Sequence, residues 1–111
     1  MKNKIIEETI CPVDYAFRRI GGKHKGRILW HLHIEKIMRY GELKRTINDI
    51  TTKMLTQTLR ELEADDLIHR KVYPEVPPKV EYSLTETGWE LIPFIQYLKE
   101  WGDNQISKSE V

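Results

Sequence analysis

The chain has 111 residues, is 40% hydrophobic and carries a formal net charge of +1, which supports one compact domain over residues 1–111 and excludes two independent cores. No apolar run reaches the roughly 20 residues of a membrane span, and the N-terminal sequence MKNKIIEETI lacks the apolar centre of a secretory signal. We therefore expect a cytoplasmic protein with no membrane partner.

Two amphipathic helices are predicted in the first third of the chain. Val13 to Ile20 carries apolar residues at helical spacing, and Gly21-Gly22 ends that segment. Lys25 to Glu35 carries an apolar stripe of Ile28, Leu29 and Leu32, which predicts a second helix that contributes to the core.

Residues 41–65 predict a helix-turn-helix. After an extended link at Arg39-Tyr40, a short helix begins at Gly41. Thr51 or Thr52 then supplies a side-chain oxygen to the free amides at the start of the next helix. The inward face of that helix is marked by leucines at positions i, i+4 and i+7, which are Leu55, Leu59 and Leu62.

A hairpin is predicted over residues 68–84. Ile68 to Tyr73 and Val80 to Leu84 are two extended runs, and the second alternates apolar and polar residues. The proline-rich segment between them cannot donate many backbone hydrogen bonds and so belongs at a loop tip. The fold class that follows is mainly α with a small β-hairpin wing, a winged helix-turn-helix.

A long helix capped by Thr85 is predicted to follow the wing. Apolar residues fill eight of the thirteen positions from Trp89 to Trp101, more than one buried face accommodates. The surplus is expected to contact another subunit, and Pro93 implies a kink or a restart of the helix. The predicted dimer-interface residues, taken with one from the first helix, are Phe17, Trp89, Ile92, Ile95, Leu98 and Trp101.

The polar face of the leucine-striped helix has the residue types that read DNA. Lysine and arginine suit the acceptors of guanine, glutamine can bind adenine through two hydrogen bonds, and a threonine methyl can contact thymine. An ordinary solvated helical face would look similar, but the helix before it and the hairpin after it favour a DNA-reading unit. Met54 is interpreted as core packing beside the leucines. The predicted DNA-binding residues, including two from the wing, are Thr51, Thr52, Lys53, Thr56, Gln57, Arg60, Arg70 and Lys79.

The distribution of charge weakly supports the same interpretation. Residues 18–45 contain nine Lys or Arg against two acidic residues, a net charge of +7, whereas residues 85–111 have a net charge of −3. A protein that presents one face to phosphates has this polarity, although a solvated basic face without a partner would have it too.

These segments resemble the HxlR-type winged-helix transcriptional regulators of the broad MarR-like group. The resemblance covers nearly the whole chain, and its most specific motifs are LTQTLRELEADDLI from Leu55 to Ile68 and VPPKVEYSLTETG from Val76 to Gly88. It implies a homodimer formed by the terminal helices, about residues 13–20 and 85–102. This dimer is expected to bind a pseudo-palindromic operator in double-stranded DNA and to act as a repressor. One departure is His24, which stands where the family usually has tryptophan; Trp30 is expected to compensate in packing.

Cys11, the only cysteine, is the position at which members of this family often sense oxidants or electrophiles. A thiol just before a helix N-terminus experiences a positive partial charge that favours the reactive thiolate. The outcomes open to a single cysteine are a disulfide between two subunits, a mixed disulfide with a small thiol, or alkylation. The alternative is a small, buried and inert side chain in a regulator that senses a ligand instead.

No enzyme, cofactor or metal site is expected. His31 and His33 point about 200° apart on a helix, and the chain lacks a phosphate-binding glycine loop, a nucleophile elbow and an HExxH motif. The remaining alternative is a protein-interaction module, because winged helices can bind protein through the same surface and Trp89, Tyr97 and Trp101 offer an apolar patch.

Overall fold

Six helices and three strands form within residues 10–109, which are the residues that the computed structural model describes. Segment 1–9, which carries most of the predicted non-secretory N-terminus, and residues 110–111 lie outside this range. The elements in chain order are α1 (Pro12–Ile20), α2 (Lys25–Glu35), β1 (Ile37–Arg39), α3 (Tyr40–Thr46), α4 (Thr52–Ala64), β2 (Ile68–Tyr73), β3 (Lys79–Leu84), α5 (Glu86–Glu90) and α6 (Ile92–Ser109).

The predicted wing hairpin is confirmed, but it belongs to a larger sheet. β2 and β3 pair antiparallel from Ile68 opposite Leu84 to Tyr73 opposite Lys79. β1 pairs with the other edge of β3, so the sheet has three strands in the order β1-β3-β2. The predicted extended link at Arg39-Tyr40 is confirmed for Arg39, which ends β1, and wrong for Tyr40, which begins α3. Three residues are too few to show a strand's alternating pattern, so only pairing with β3 reveals β1.

One hydrophobic core joins the helices to the sheet. α2 packs against β3 and α6, and α4 packs against β2. Each fully buried aliphatic side chain contributes about 1.5–3 kcal/mol relative to leaving it exposed. Trp30 is partly buried against this core, and its compensation for His24 stays a prediction. The largest fully buried side chains are Ile28, Leu29, Leu32, Leu43, Ile47, Leu55, Leu62 and Ile68.

The segment after the wing forms two helices instead of one. The Thr85 hydroxyl accepts the Gly88 N–H at 2.9 Å and donates to the Asp66 carbonyl at 2.6 Å, which caps α5 and ties it to the end of α4. Glycine is required at 88 because a Cβ there would clash with the Leu67 carbonyl oxygen. Pro93 lies in the first turn of α6, where its missing N–H costs no hydrogen bond. Of the two predicted outcomes, a kink or a restart, the chain adopts the restart.

Three burial predictions need correction. Ile92 and Ile95, predicted at the subunit interface, are 4% and 8% exposed and form part of the monomer's own core. Met54, interpreted as core packing, is 45% exposed. Position 54 is about 100° around the helix from Leu55, which places the Met54 side chain at the edge of the buried face. Within residues 10–109, no helix combines the length and apolarity that crossing a membrane requires.

Candidate nucleic-acid interface

Helix α4 divides into a buried leucine face and an exposed polar face. Leu55, Leu59 and Leu62 are buried, and the Thr58 hydroxyl on the same side bonds the Met54 carbonyl at 2.7 Å. At 100° per residue, three of the predicted reading residues fall on the opposite arc of the helix, whereas Thr56 lies beside that arc and is partly buried. That arc is exposed along its length and carries Lys53, Gln57 and Arg60.

The start of α4 is held by two hydroxyl groups. Thr51 is the N-cap, and its hydroxyl oxygen accepts the Met54 N–H at 3.1 Å, which selects Thr51 over Thr52 for the predicted capping role. The Tyr40 hydroxyl lies 3.0 Å from both the Thr52 carbonyl oxygen and the Thr56 hydroxyl oxygen. Tyr40 therefore joins the first turn of α3 to the first turns of α4. It was missed in the sequence because no local pattern shows where a tyrosine hydroxyl reaches.

The turn between α3 and α4 is anchored to α2 by charge. The Arg27 guanidinium binds both carboxylate oxygens of Asp49, at 2.8 and 3.2 Å, and Lys23 lies 3.2 Å from the same carboxylate. Hydrogen bonds from Arg27 and then Lys23 hold the pKa of Asp49 well below its usual value. These bonds hold the turn between α3 and α4 against the start of α2.

The basic segment 18–45 is only partly available to phosphates. Five of its nine basic residues form ion pairs with acidic residues elsewhere in the monomer: Arg18, Arg19, Lys23, Lys25 and Arg27. The sequence count of +7 therefore overstates the free positive charge, because it ignores acidic groups that folding brings close. Across residues 10–109, no ion pair engages Lys44 or Arg45 of α3, or Lys53 or Arg60 of α4.

Gln57 is exposed and forms a side-chain hydrogen bond within α4. Its amide nitrogen donates to Glu61 Oε2 at 2.8 Å, one helical turn further along α4. The other carboxylate oxygen, Oε1, lies 3.1 Å from the Lys25 ammonium of α2. The Gln57 hydrogen bond, followed by the Lys25 bond, lowers the pKa of Glu61. Glu61 is a functional candidate that the sequence analysis did not name.

A cleft of about 400 Å³ opens beside the contact between α4 and the sheet. Arg60 of α4 and Arg70 of β2 both line it, so the structure brings a predicted helix residue and a predicted wing residue to one site. Lys79 lies apart near the tip of the wing, in the last strand pair before the loop, 3.9 Å from Glu81 and 4.3 Å above the Tyr73 ring. Of the two wing candidates, Arg70 is the one that shares a surface with α4.

Cys11 lies where the sequence predicts, at the N-cap position of α1 with Pro12 as the first helical residue. It is exposed in the monomer, so the alternative of a buried thiol is wrong. Helix α1 contacts α6 through an edge-to-face pair between Phe17 and Phe94, with ring centroids 6.1 Å apart. The helix that bears the thiol therefore contacts the C-terminal helix.

Comparison with known proteins identifies the same architecture. The family model for HxlR-like helix-turn-helix proteins matches residues 19–110. The HTH-type transcriptional regulator YybR of Bacillus subtilis strain 168 is 51% identical over 103 residues, which are 93% of this chain and 82% of that protein.

Solved structures of the redox regulator HypR superpose closely on this chain. Its oxidised form is 51% identical with a TM-score of 0.80, and the match covers 85% of this chain and 96% of that one. Its reduced form is 48% identical with a TM-score of 0.84, and the match covers 90% of this chain and 98% of that one.

Proposed function

We propose, from the premise that this chain belongs to the HxlR-like helix-turn-helix family of transcriptional regulators, that α4 is its DNA recognition helix and that the regulator acts as a homodimer. One observation carries the proposal. Lys53, Gln57 and Arg60 lie together on the exposed arc of α4, opposite leucines that hold the helix against the core. The interface between helix and core therefore fixes which side chains a duplex would meet.

The residues at the proposed interface suit different parts of the duplex. The N-terminal turn of α4, with Thr51 and Thr52, suits a backbone phosphate because free amides and the helix dipole both favour an anion there. Lys53 and Arg60 suit guanine edges, and Gln57 suits adenine. The Thr56 hydroxyl is engaged by Tyr40, so its methyl group is the part that remains for a thymine methyl.

Residues of the wing extend the same surface. Arg70 faces the cleft beside Arg60, where it can bind a phosphate of the strand that α4 reads. We assign Lys79 a weaker phosphate contact, because its ammonium already lies near Glu81 and the Tyr73 ring.

The terminal helices supply the proposed subunit contact. α1 and α6 expose large apolar side chains that water would otherwise solvate. Burying them against a second copy would place two α4 helices on one face of the dimer, reading half-sites about one helical turn of DNA, or roughly 34 Å, apart. The exposed members of the predicted interface are Phe17, Trp89, Leu98 and Trp101.

Direct measurement of binding tests the DNA interface. Purified protein is titrated against labelled duplexes covering the DNA that flanks its own gene, and affinity is measured across a range of salt concentrations. We expect a linear log-log plot whose slope falls by about 1 for Arg70→Ala, because one phosphate contact is lost. Lys108→Ala, which removes the same charge from α6, should leave the slope unchanged. Failure to bind any of these duplexes would contradict the proposal.

We further propose that Cys11 senses oxidants. HypR is described as a redox regulator, and Cys11 is an exposed thiol at a helix N-cap. Diamide removes two electrons and two protons from a pair of Cys11 thiols and leaves one disulfide between subunits; with a small thiol present, it leaves a mixed disulfide on each. A quinone would instead add to the thiolate sulfur.

The switch is tested by treating reduced protein with diamide and comparing its affinity for duplex with that of Cys11→Ser. We expect the affinity of the wild type to change and that of the variant to stay constant, with non-reducing electrophoresis and mass spectrometry identifying the oxidised product. Equal responses of the two proteins would show that Cys11 is inert and that the regulator senses a ligand by another route.

A further inference from the structure

The carboxylate of Glu61 bridges two helices at the edge of the DNA-reading face. One oxygen accepts the Gln57 side-chain amide at 2.8 Å, and the other lies 3.1 Å from the Lys25 ammonium. Lys25 is the first residue of α2, its side chain is 84% covered, and its ammonium also donates to the Arg18 carbonyl of α1 at 3.4 Å. Gln57 is thereby connected, through one carboxylate, to the part of the monomer that does not face DNA.

We propose that Glu61 is a positioning residue that sets the base preference of Gln57, and that Lys25 anchors Glu61 for this purpose. The inference rests on the proposed function of α4 and goes beyond it, because neither Glu61 nor Lys25 touches DNA in that proposal. Their effect on sequence preference is exerted through the Gln57 amide alone.

The chemistry of the amide makes this arrangement suitable for reading adenine. A glutamine amide has two N–H donors and one carbonyl acceptor, and a bidentate contact with adenine uses one donor and the acceptor. Glu61 takes the remaining donor. The bond also fixes the orientation of the amide, because a carboxylate can accept a hydrogen bond from the amide nitrogen but not from the amide oxygen. The amide therefore reaches the duplex already oriented, which reduces the side-chain entropy lost on binding.

The charge of Glu61 separates this role from a general contribution to affinity. A carboxylate near the phosphates of DNA opposes binding to every sequence, and the Lys25 ammonium offsets that repulsion. Removing the carboxylate should therefore improve binding to arbitrary duplexes while it weakens discrimination at one base pair. A residue that served only the fold would not shift these two quantities in opposite directions.

Selection from a library of random duplexes tests the inference and does not require a known operator. Wild type, Gln57→Ala, Glu61→Gln and Lys25→Met are each used to enrich bound sequences. We expect Gln57→Ala to lose preference at one position of each half-site. In Glu61→Gln and Lys25→Met, the preference for one base at that same position should fall by about fivefold or more, which is the lower range for a bidentate base contact. Preferences at the other positions should be unchanged.

The chain contains a matched control for this pair. Gln96 donates to Glu100 with the same four-residue spacing at 3.5 Å on α6, so Glu100→Gln makes the same chemical change outside the reading face. Its selected sequences should match those of the wild type. Thermal denaturation of every variant confirms that the fold survives.

Mobility of the Gln57 amide gives a second measurement on the free protein. Side-chain amide relaxation by NMR should show a restrained Gln57 in the wild type and a mobile one in Glu61→Ala, which has no side-chain acceptor. The inference is overturned if Gln57→Ala changes a base preference that Glu61→Gln and Lys25→Met both retain, in which case the proposed function stands. It is also overturned if Gln57→Ala changes no preference. If the wild type enriches no sequence, both proposals fail.

Discussion

Helices α4 and α6 both present side chains that the monomer leaves uncovered, but the chemistry of the two exposed faces differs. The outer arc of α4 is polar, with Lys53, Gln57 and Arg60, whereas the three leucines of its inner face are buried. Helix α6 buries Ile92 and Ile95 and leaves Leu98 and Trp101 exposed.

The difference shows what each helix requires from its surroundings. The monomer already buries the leucines of α4, so the outer arc can carry polar residues that contact a duplex without loss of stability. The exposed apolar face of α6 is unfavourable in water and gains free energy when another apolar surface covers it. The following predictions test whether the two helices are divided in this way.

The largest expected effect is the loss of the buried face of α4. Replacing Leu59, which is 3% exposed, by alanine should lower the free energy of unfolding by about 2–5 kcal/mol, because the substitution removes buried methyl groups and leaves a cavity. Met54→Ala on the same helix should cost much less, because that side chain is largely in solvent. Chemical denaturation monitored by circular dichroism measures both. Comparable losses would show that α4 has no distinct inner face.

Truncation of the exposed apolar face of α6 should affect assembly. Replacing Trp101, which is 58% exposed in the monomer, by alanine should weaken dimerisation by about 2 kcal/mol or more, as expected for an aromatic residue at the centre of an interface. Sedimentation velocity over a concentration series measures the change. Gln96→Ala, on the opposite side of α6, should leave the dimer intact. A wild-type protein that stays monomeric would remove the basis of the comparison.

Arg60→Ala addresses the polar arc of α4. The substitution should cost about 1–3 kcal/mol of specific binding and relax the preference at one base pair if the guanidinium reads a guanine edge. Binding to specific and scrambled duplexes distinguishes the outcomes, with Arg18→Ala on α1 as the control for the change of charge. Equal weakening on all duplexes would reassign Arg60 to a phosphate contact.

The smallest effect concerns the turn that precedes α4. The pKa of Asp49 is lower in the folded chain than in the unfolded chain, where it is near 4. Pairing of Asp49 with Arg27 and Lys23 therefore stabilises the fold fully at a pH above about 4, and this stabilisation is lost as the pH falls further. The melting temperature of Asp49→Asn should therefore fall less steeply than that of the wild type between about pH 4 and pH 2. Thermal scans in matched buffers test this, and parallel curves would contradict the assignment.

Much of the fold follows from local patterns in the chain. The spacing of Leu55, Leu59 and Leu62 predicted both the existence of α4 and its buried face, because helical periodicity is a property of neighbouring residues. The alternation from Val80 to Leu84 and the prolines before it predicted the wing for the same reason. These predictions depend on residues a few positions apart, and the structure confirms them.

Contacts between distant residues could not be predicted in this way. β1 exists only through its pairing with β3, more than forty positions away in the chain. Tyr40 reaches α4, and Lys25 reaches Glu61, because folding brings α2, α3 and α4 together. Segment 18–45 loses much of its free positive charge through the same kind of contact with distant acidic residues.

The sequence by itself determined the helix-turn-helix, the wing hairpin and the residue types that line the outer arc of α4, since these depend on periodicity and side-chain chemistry. Only the tertiary structure decided which cations remain unpaired, which apolar residues of α6 stay exposed, and how Gln57 is held. These properties depend on distances between helices, and such distances are set by packing of the whole core rather than by any one segment.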